Sequence, residues 1–336
     1  MKIVAPLSHP DELEPLLKEK PDEIYFGVMD NSWLKDYSNI ISTSRREFKS
    51  QNLQSKNVAK EIVKRCRQES VKTSLTVNSH FYDAKQSQLI SKLIDTIRPD
   101  NIIVADLGLI NYLREKSVNM HLSTGACALN SNAIEFFKKQ GISRVILPRH
   151  ILIDEVNKMQ RKLSKVELEI FMLNQGCINL DGLCYYLHGL KDKNTSFTKK
   201  RIDSLKKKAY QYFPDMLKKR LRYLTEIDPG YACLQTYKIT DKNGKKRITS
   251  FNPHTNGGTK CGVCALSCLE NKDSIRLKIV GRENNLAKKI KDIRFLKEVF
   301  NNINLPKREF IVKCQEIHYK YYNEKCNDNK CYYQII

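Results

Sequence analysis

The sequence predicts an α/β fold: an irregular (β/α) TIM-barrel-like domain carrying a basic, mostly helical insertion. Three observations lead there. Short apolar, β-branched runs alternate with stretches of helical period through the first half of the chain. Such alternation is the mark of βαβ units around a parallel sheet. The count reaches eight strands, the number that closes a barrel. A doubly wound open sheet is the rival, but no GxGxxG follows the first strand, which disfavours its dinucleotide-binding form.

The strand candidates are, in order, Lys2–Ala5, Glu23–Gly27, Thr73–Asn78, Asn101–Ala105, Asn119–Ser123, Arg144–Leu147 and Glu167–Met172. Helices are expected at Asp11–Lys20, Val58–Glu69, Asp83–Thr96, Ser131–Gln140 and Asp154–Leu163. Gly141 stands where the fourth of these would be capped. The eighth strand, Ile275–Val280, comes much later and leads into a helix over Asn284–Asn301. Residues 1–184 therefore read as seven β/α units, 185–260 as an insertion, 261–303 as the last unit and 304–336 as a cysteine-containing tail. The insertion is too long for an ordinary loop. Within it, Asp241, Asn243 and Gly244 mark a β-hairpin turn in Thr240–Arg247.

The chain has 336 residues, 41% hydrophobic and 29% charged, which suits a folded protein and argues against wholesale disorder. Its net charge is +22. That surplus either reflects a polyanionic partner, nucleic acid first and an anionic membrane second, or is simply a solvated basic surface. The charge is densest early in the insertion, at Lys199, Lys200, Arg201, Lys206, Lys207, Lys208, Lys218, Lys219, Arg220 and Arg222. Tyr210, Tyr212, Phe213 and Tyr223 are interleaved there; they either stack on unpaired bases or pack inward. No apolar run is long enough to span a membrane, and Pro6, Pro10 and nearby acids replace any signal-peptide core. A cytoplasmic location is expected. The 11 cysteines then read as metal ligands or free thiols, not as a disulfide framework.

Several cysteines fall near the ends of predicted barrel strands. Cys177 and Cys184 lie in QGCINLDGLC, Cys233 in GYACLQTY, and Cys261, Cys264 and Cys268 in CGVCALSC. Four thiolates suit a 4Fe-4S cluster or a zinc ion, and spacing alone does not separate the two. Cys66 and Cys127 read as small apolar residues. Cys314, Cys326 and Cys331 read as spare thiols or a second metal site.

The stretch EIFMLNQGCINLDGLC, Glu169–Cys184, resembles the collagenase-like peptidase family, peptidase family U32. LSTGACALNSNAIEFFKKQGISRVILPRH, LKIVGR, KIVAP and IYFGV fit the same family in the same order. The resemblance implies a barrel. Despite the family's name, it also implies a link to oxygen-independent hydroxylation: of a tRNA wobble uridine with a prephenate-like metabolite, of an rRNA cytidine, or in quinone biosynthesis with a partner protein of the same family. Carried over by position, the ligands of a 4Fe-4S cluster would be Cys177, Cys184, Cys233 and one of Cys261 and Cys264. Where the family often has Arg-Glu, this chain has Arg149-His150, which puts any carboxylate-dependent mechanism there in doubt.

Catalytic candidates at strand ends are Arg149, His150, Asn78 and Asp106, with His80, Thr124 and Asn174 beside them. Arg149 offers a planar fork for a carboxylate or phosphate. His150 offers an acid or base. Arg282 either pairs with an anion or caps its strand. The alternatives are a peptidase, a quinone-pathway hydroxylase and a non-catalytic RNA-binding protein. The sequence contains neither HExxH nor GxSxG in support of the first of these.

Overall fold

The computed structural model describes residues 1–37, 42–46, 51–176, 181–183, 236–240, 244, 246–250, 260–326 and 330–333. Eight parallel strands close into a barrel: β1 (Lys2–Pro6), β2 (Glu23–Phe26), β3 (Lys72–Val77), β4 (Asn101–Val104), β5 (Asn119–Leu122), β6 (Ile142–Ile146), β7 (Glu167–Leu173) and, after the insertion, β10 (Ile275–Ile279). Strand β10 lies between β7 and β1 and completes the ring. The TIM-barrel-like expectation therefore holds. Each of the eight expected strands is present, with ends shifted by no more than two residues.

The helices between them are α1 (Leu13–Lys18), α2 (Asn31–Tyr37), α3 (Lys56–Gln68), α4 (Ala84–Ile97), α5 (Leu107–Leu113), α6 (Ser131–Lys139), α7 (Ile153–Lys162) and α8 (Leu286–Phe300). Their starts obey local chemistry. Ser55, Asp83, Asp106, Asn130 and Asn285 each accept a backbone N–H from the first turn. Asp83 and Gln86 form a reciprocal capping box. The short α2 and α5 carry too few turns to stand out by periodicity. The tail forms a further helix, α9 (Lys307–Tyr322), packed on α8.

Chain contacts divide the protein into residues 1–185 with 257–336, and residues 186–256. In the second unit the described part is an antiparallel hairpin, β8 (Thr236–Thr240) with β9 (Lys246–Ser250). Gly244 in its turn has φ +76°, a conformation that favours glycine. The helical part expected of the insertion lies outside the described residues.

Successive side chains of a strand point to opposite faces. One set, including Ile3, Ala5, Ile24, Phe26, Leu75, Ile102, Leu168, Ile170, Leu277 and Ile279, joins the helices in the main apolar core. The other set fills the barrel in two layers. Toward the N-terminal ends of the strands, Glu23, Arg144, Glu167, Glu169, Arg276 and Lys278 form a charge network. Arg144 reaches Glu23 at 2.7 Å, Glu167 at 2.9 Å and Glu169 at 3.1 Å. Lys278 reaches Glu169 at 2.5 Å, and Arg276 pairs with Glu167. Above it lies an apolar layer of Val4, Tyr25, Ile103, Ile146, Phe171 and Val280.

Candidate functional site at the barrel mouth

The C-terminal ends of barrel strands converge above that apolar layer, where barrel enzymes keep their chemistry. Gly281-Arg282 follows strand β10. Gly281 has φ +108°, and the turn sends Arg282 into the interior, 5% exposed. Its guanidinium donates to Asn52 Oδ1 at 2.9 Å and Ser44 Oγ at 3.1 Å, both neutral acceptors. Burial, and then the nearby Arg46 charge, push its pKa down to about 10. Gly27, just past β2, makes room for it: a Cβ there would stand 2.1 Å from both Arg282 Nη1 and Asn52 Oδ1.

Arg46 donates to Gln175 Oε1 at 2.6 Å and lies 3.9 Å from Glu283. Arg149, after β6, is held on three sides. Its Nη1 meets Asp181, its Nε donates to the Gln175 carbonyl at 3.0 Å, and its plane lies 4.1 Å above the Phe171 ring. Asp181 also accepts the Arg149 backbone N–H at 2.9 Å. The fork expected to clamp a ligand is therefore partly engaged by the segment between Cys177 and Cys184. Among the described residues the mouth thus gathers Arg46, Arg149 and Arg282, and the hydrogen-bond partners of Arg282 are the neutral Asn52 and Ser44.

The other candidates separate by role. Asn78 bridges two loops, donating to Ser123 Oγ at 3.0 Å and accepting the Arg45 N–H at 3.3 Å. Asp106 caps α5 through the Leu109 N–H at 2.6 Å, and burial raises its pKa. His150 is exposed in the turn after Arg149. His80 lies beside Gly125 in the loops after β3 and β5. Thr124 opens a single helical turn at the end of β5. Asn174 is buried with φ +73°, and its side chain ties Val280 O at 2.9 Å to Asp292 at 2.7 Å. Tyr332, from the tail, packs on Phe171 and donates to the Asn174 carbonyl.

Sequence reasoning missed Ser44, Arg46, Asn52 and Gln175. They lie in irregular loops, and only the Arg45-Arg46 pair offered a signal. Of the proposed metal ligands, Cys261 and Cys264 are described. Cys177, Cys184 and Cys233 lie outside the described residues, as do the basic positions from Lys199 to Arg222. Residues 260–262 pair with the end of β7: Asn174 N donates to Lys260 O at 2.8 Å and Gly262 N to Met172 O at 2.9 Å. This places Cys261 opposite Leu173, four residues before Cys177.

The C-terminal end of the barrel thus carries Arg46, Arg149 and Arg282. The profile of peptidase family U32 matches residues 8–334, and the chain belongs to that family. It is 35% identical over 114 residues to tRNA hydroxylation protein P of Haemophilus influenzae, covering 33% of this chain and 25% of that protein. It is 32% identical over 114 residues to the protein of the same name in Escherichia coli, with the same two shares. It is 25% identical over 222 residues to the collagenase of Porphyromonas gingivalis, covering 62% of this chain and 50% of that protein. The matched regions thus span a quarter to a half of these relatives. Among the described residues no helix is long and apolar enough to cross a membrane.

Proposed function

We propose that this chain supports oxygen-independent hydroxylation of a tRNA base at the barrel mouth. The observation that carries the reading is Arg282, a buried guanidinium whose hydrogen-bond partners among the described residues are the neutral Asn52 and Ser44, set beside Arg46 where the strands end. Such a cation suits a carboxylate or phosphate, and Arg holds either in two contacts. A prephenate-like carboxylate or the backbone of the RNA fits that chemistry. The relatives named for tRNA hydroxylation support the choice of RNA. The basic run from Lys199 to Arg222 would hold phosphates, and the base would be unstacked to reach the mouth. A tRNA substrate implies a cytoplasmic protein, and a second family member is the expected partner.

A 4Fe-4S cluster would be held by Cys177, Cys184 and Cys233 with Cys261 as the fourth ligand. Two observations agree with this. Thiol donors suit such a cluster, and residues 260–262 pair with the strand end that leads to Cys177. Bound there, the cluster would supply electrons.

The test is mass spectrometry of tRNA from a deletion strain. One hydroxylated nucleoside should disappear and return with the wild-type gene, but not with Arg282→Gln. Unchanged tRNA, or loss of collagen-type peptide cleavage instead, would overturn the reading.

A further inference from the structure

We infer that Phe81 is a stacking platform for an unpaired nucleotide of the RNA, next to the base that enters the mouth; this rests on the proposed function and names a further contact of its substrate. Phe81 lies in the connection from β3 to α4. At 76% exposed it is the most exposed large apolar side chain among the described residues. Single apolar residues on a surface are ordinary. Phe81 differs in that its neighbours are held, and held to the loop that carries Ser44 and Arg46.

Ahead of Phe81, Asn78 accepts the Arg45 N–H at 3.3 Å and donates to Ser123 Oγ at 3.0 Å. Ser79 Oγ donates to the Ser42 carbonyl at 3.0 Å, and its N–H donates to the Tyr82 hydroxyl at 2.9 Å. Behind Phe81, that hydroxyl donates to the Thr43 carbonyl at 2.8 Å. Asp83 then forms the capping box that starts α4. Residues 78–83 are thereby braced on residues 42–46, which supply Ser44 to Arg282 and Arg46 to Gln175. A phenyl ring on a fixed backbone has only two side-chain torsions to lose on binding, so stacking on it costs little entropy.

The chemistry of this end of the barrel selects the occupant. Arg46, Arg149 and Arg282 are there, and the exposed Leu107, Leu152 and Leu183 follow β4, β6 and β7. A ligand for such a face offers negative charge and flat apolar surface together, as an unpaired nucleotide does. A paired duplex hides its base faces and offers phosphates alone. A second copy of the chain, meeting this face across a two-fold axis, would set arginines against arginines. Arg282 is turned into the interior and Phe81 out to solvent, so the ring takes a nucleotide beside the reacting one.

The experiment measures binding of the full chain to an unmodified tRNA transcript and to a fully paired RNA duplex of equal length, by fluorescence anisotropy. Phe81→Ala should weaken tRNA binding about tenfold, as loss of one stacked base does, and leave duplex binding unchanged. Phe81→Tyr should keep the wild-type affinity. In Phe81→Trp the exposed indole should lose fluorescence on addition of tRNA and not of duplex, over a constant background from the buried Trp33. Equal affinity of Phe81→Ala and wild type for tRNA overturns the inference. So does an equal loss for both RNAs, or a wild type that binds no tRNA. A wild-type dimer that Phe81→Ala dissociates in sedimentation, with tRNA binding unchanged, assigns the ring to a second copy and also overturns it. Indole quenching by tRNA, with unchanged nucleosides in the deletion strain, refutes hydroxylation and leaves the platform standing.

Discussion

The charge network inside the barrel makes stability depend on one histidine. His121 is 1% exposed, with Nε2 3.4 Å from Asn119 Nδ2 and Nδ1 3.9 Å from Glu23. Three cations, Arg144, Arg276 and Lys278, already balance three anions, Glu23, Glu167 and Glu169. A proton on His121 would add a buried charge with no remaining counter-ion. Burial, reinforced by Arg144, accordingly pushes its pKa down to about 3. In the unfolded chain an ordinary histidine titrates near pH 6.5. Between those values the unfolded state binds a proton that the folded state refuses, so stability falls as pH falls from about 6.5 toward 3. The limiting slope is about 1.4 kcal/mol per pH unit, which gives about 2 kcal/mol at pH 5 relative to neutral pH. Urea unfolding of wild type and His121→Gln at pH 7 and pH 5 measures this, because carboxylate titration is common to both proteins. The variant should lose about 2 kcal/mol less on acidification. Equal losses would show that His121 accepts its proton in the folded state and refute the electrostatic account.

Three further outcomes follow from named contacts. Lys289 is fully buried and meets both Glu12 oxygens at 2.7 Å and Ser8 Oγ at 2.8 Å, so Lys289→Met should cost about 3–5 kcal/mol by leaving Glu12 unpaired, and adding Glu12→Gln should restore much of it in urea unfolding. Gly27→Ala forces a methyl into Arg282, so it should destabilise the barrel by about 1–3 kcal/mol and abolish tRNA hydroxylation in the complemented strain. Asp106→Ala should cost about 1 kcal/mol, as a lost helix cap does, while the tRNA modification persists; loss of modification in a stably folded variant would restore Asp106 as a catalyst.

The barrel was legible because its outward strand faces are apolar and its strands are short and regularly spaced. The interior was not. Glu23, Glu167, Glu169, Arg144, His121 and Lys278 alternate with those apolar residues, and in sequence such alternation suggests a solvent-facing side. Only closure of the sheet turns that side inward, where the charges must satisfy one another. Arg149 was legible as a strand-end cation, but Asp181 and Phe171 meet it only in space. The engagement of its fork was therefore hidden. The mouth's other cation partners come from the loop around Ser44 and Arg46, which has no periodicity to read.

The two ends of the barrel both carry charge, but their cations are held differently. At the N-terminal end a cavity of about 500 Å³ is lined by Lys2, Asp22, Lys72, Asp100, Lys165 and members of the interior network. Its network charges, however, are paired between strands: Arg144 with Glu167 and Glu169 on the neighbouring strand and with Glu23 across the barrel, Lys278 with Glu169, Arg276 with Glu167. An incoming anion would have to displace carboxylates from guanidiniums, and breaking one buried pair already costs about 3–5 kcal/mol. At the mouth, Arg282 gives up only hydrogen bonds to an amide and a hydroxyl, which are worth less than an ion pair. The same residue type is therefore held by ion pairs at one end of the barrel and by neutral hydrogen bonds at the other, which is why the proposed function places the anion at the mouth.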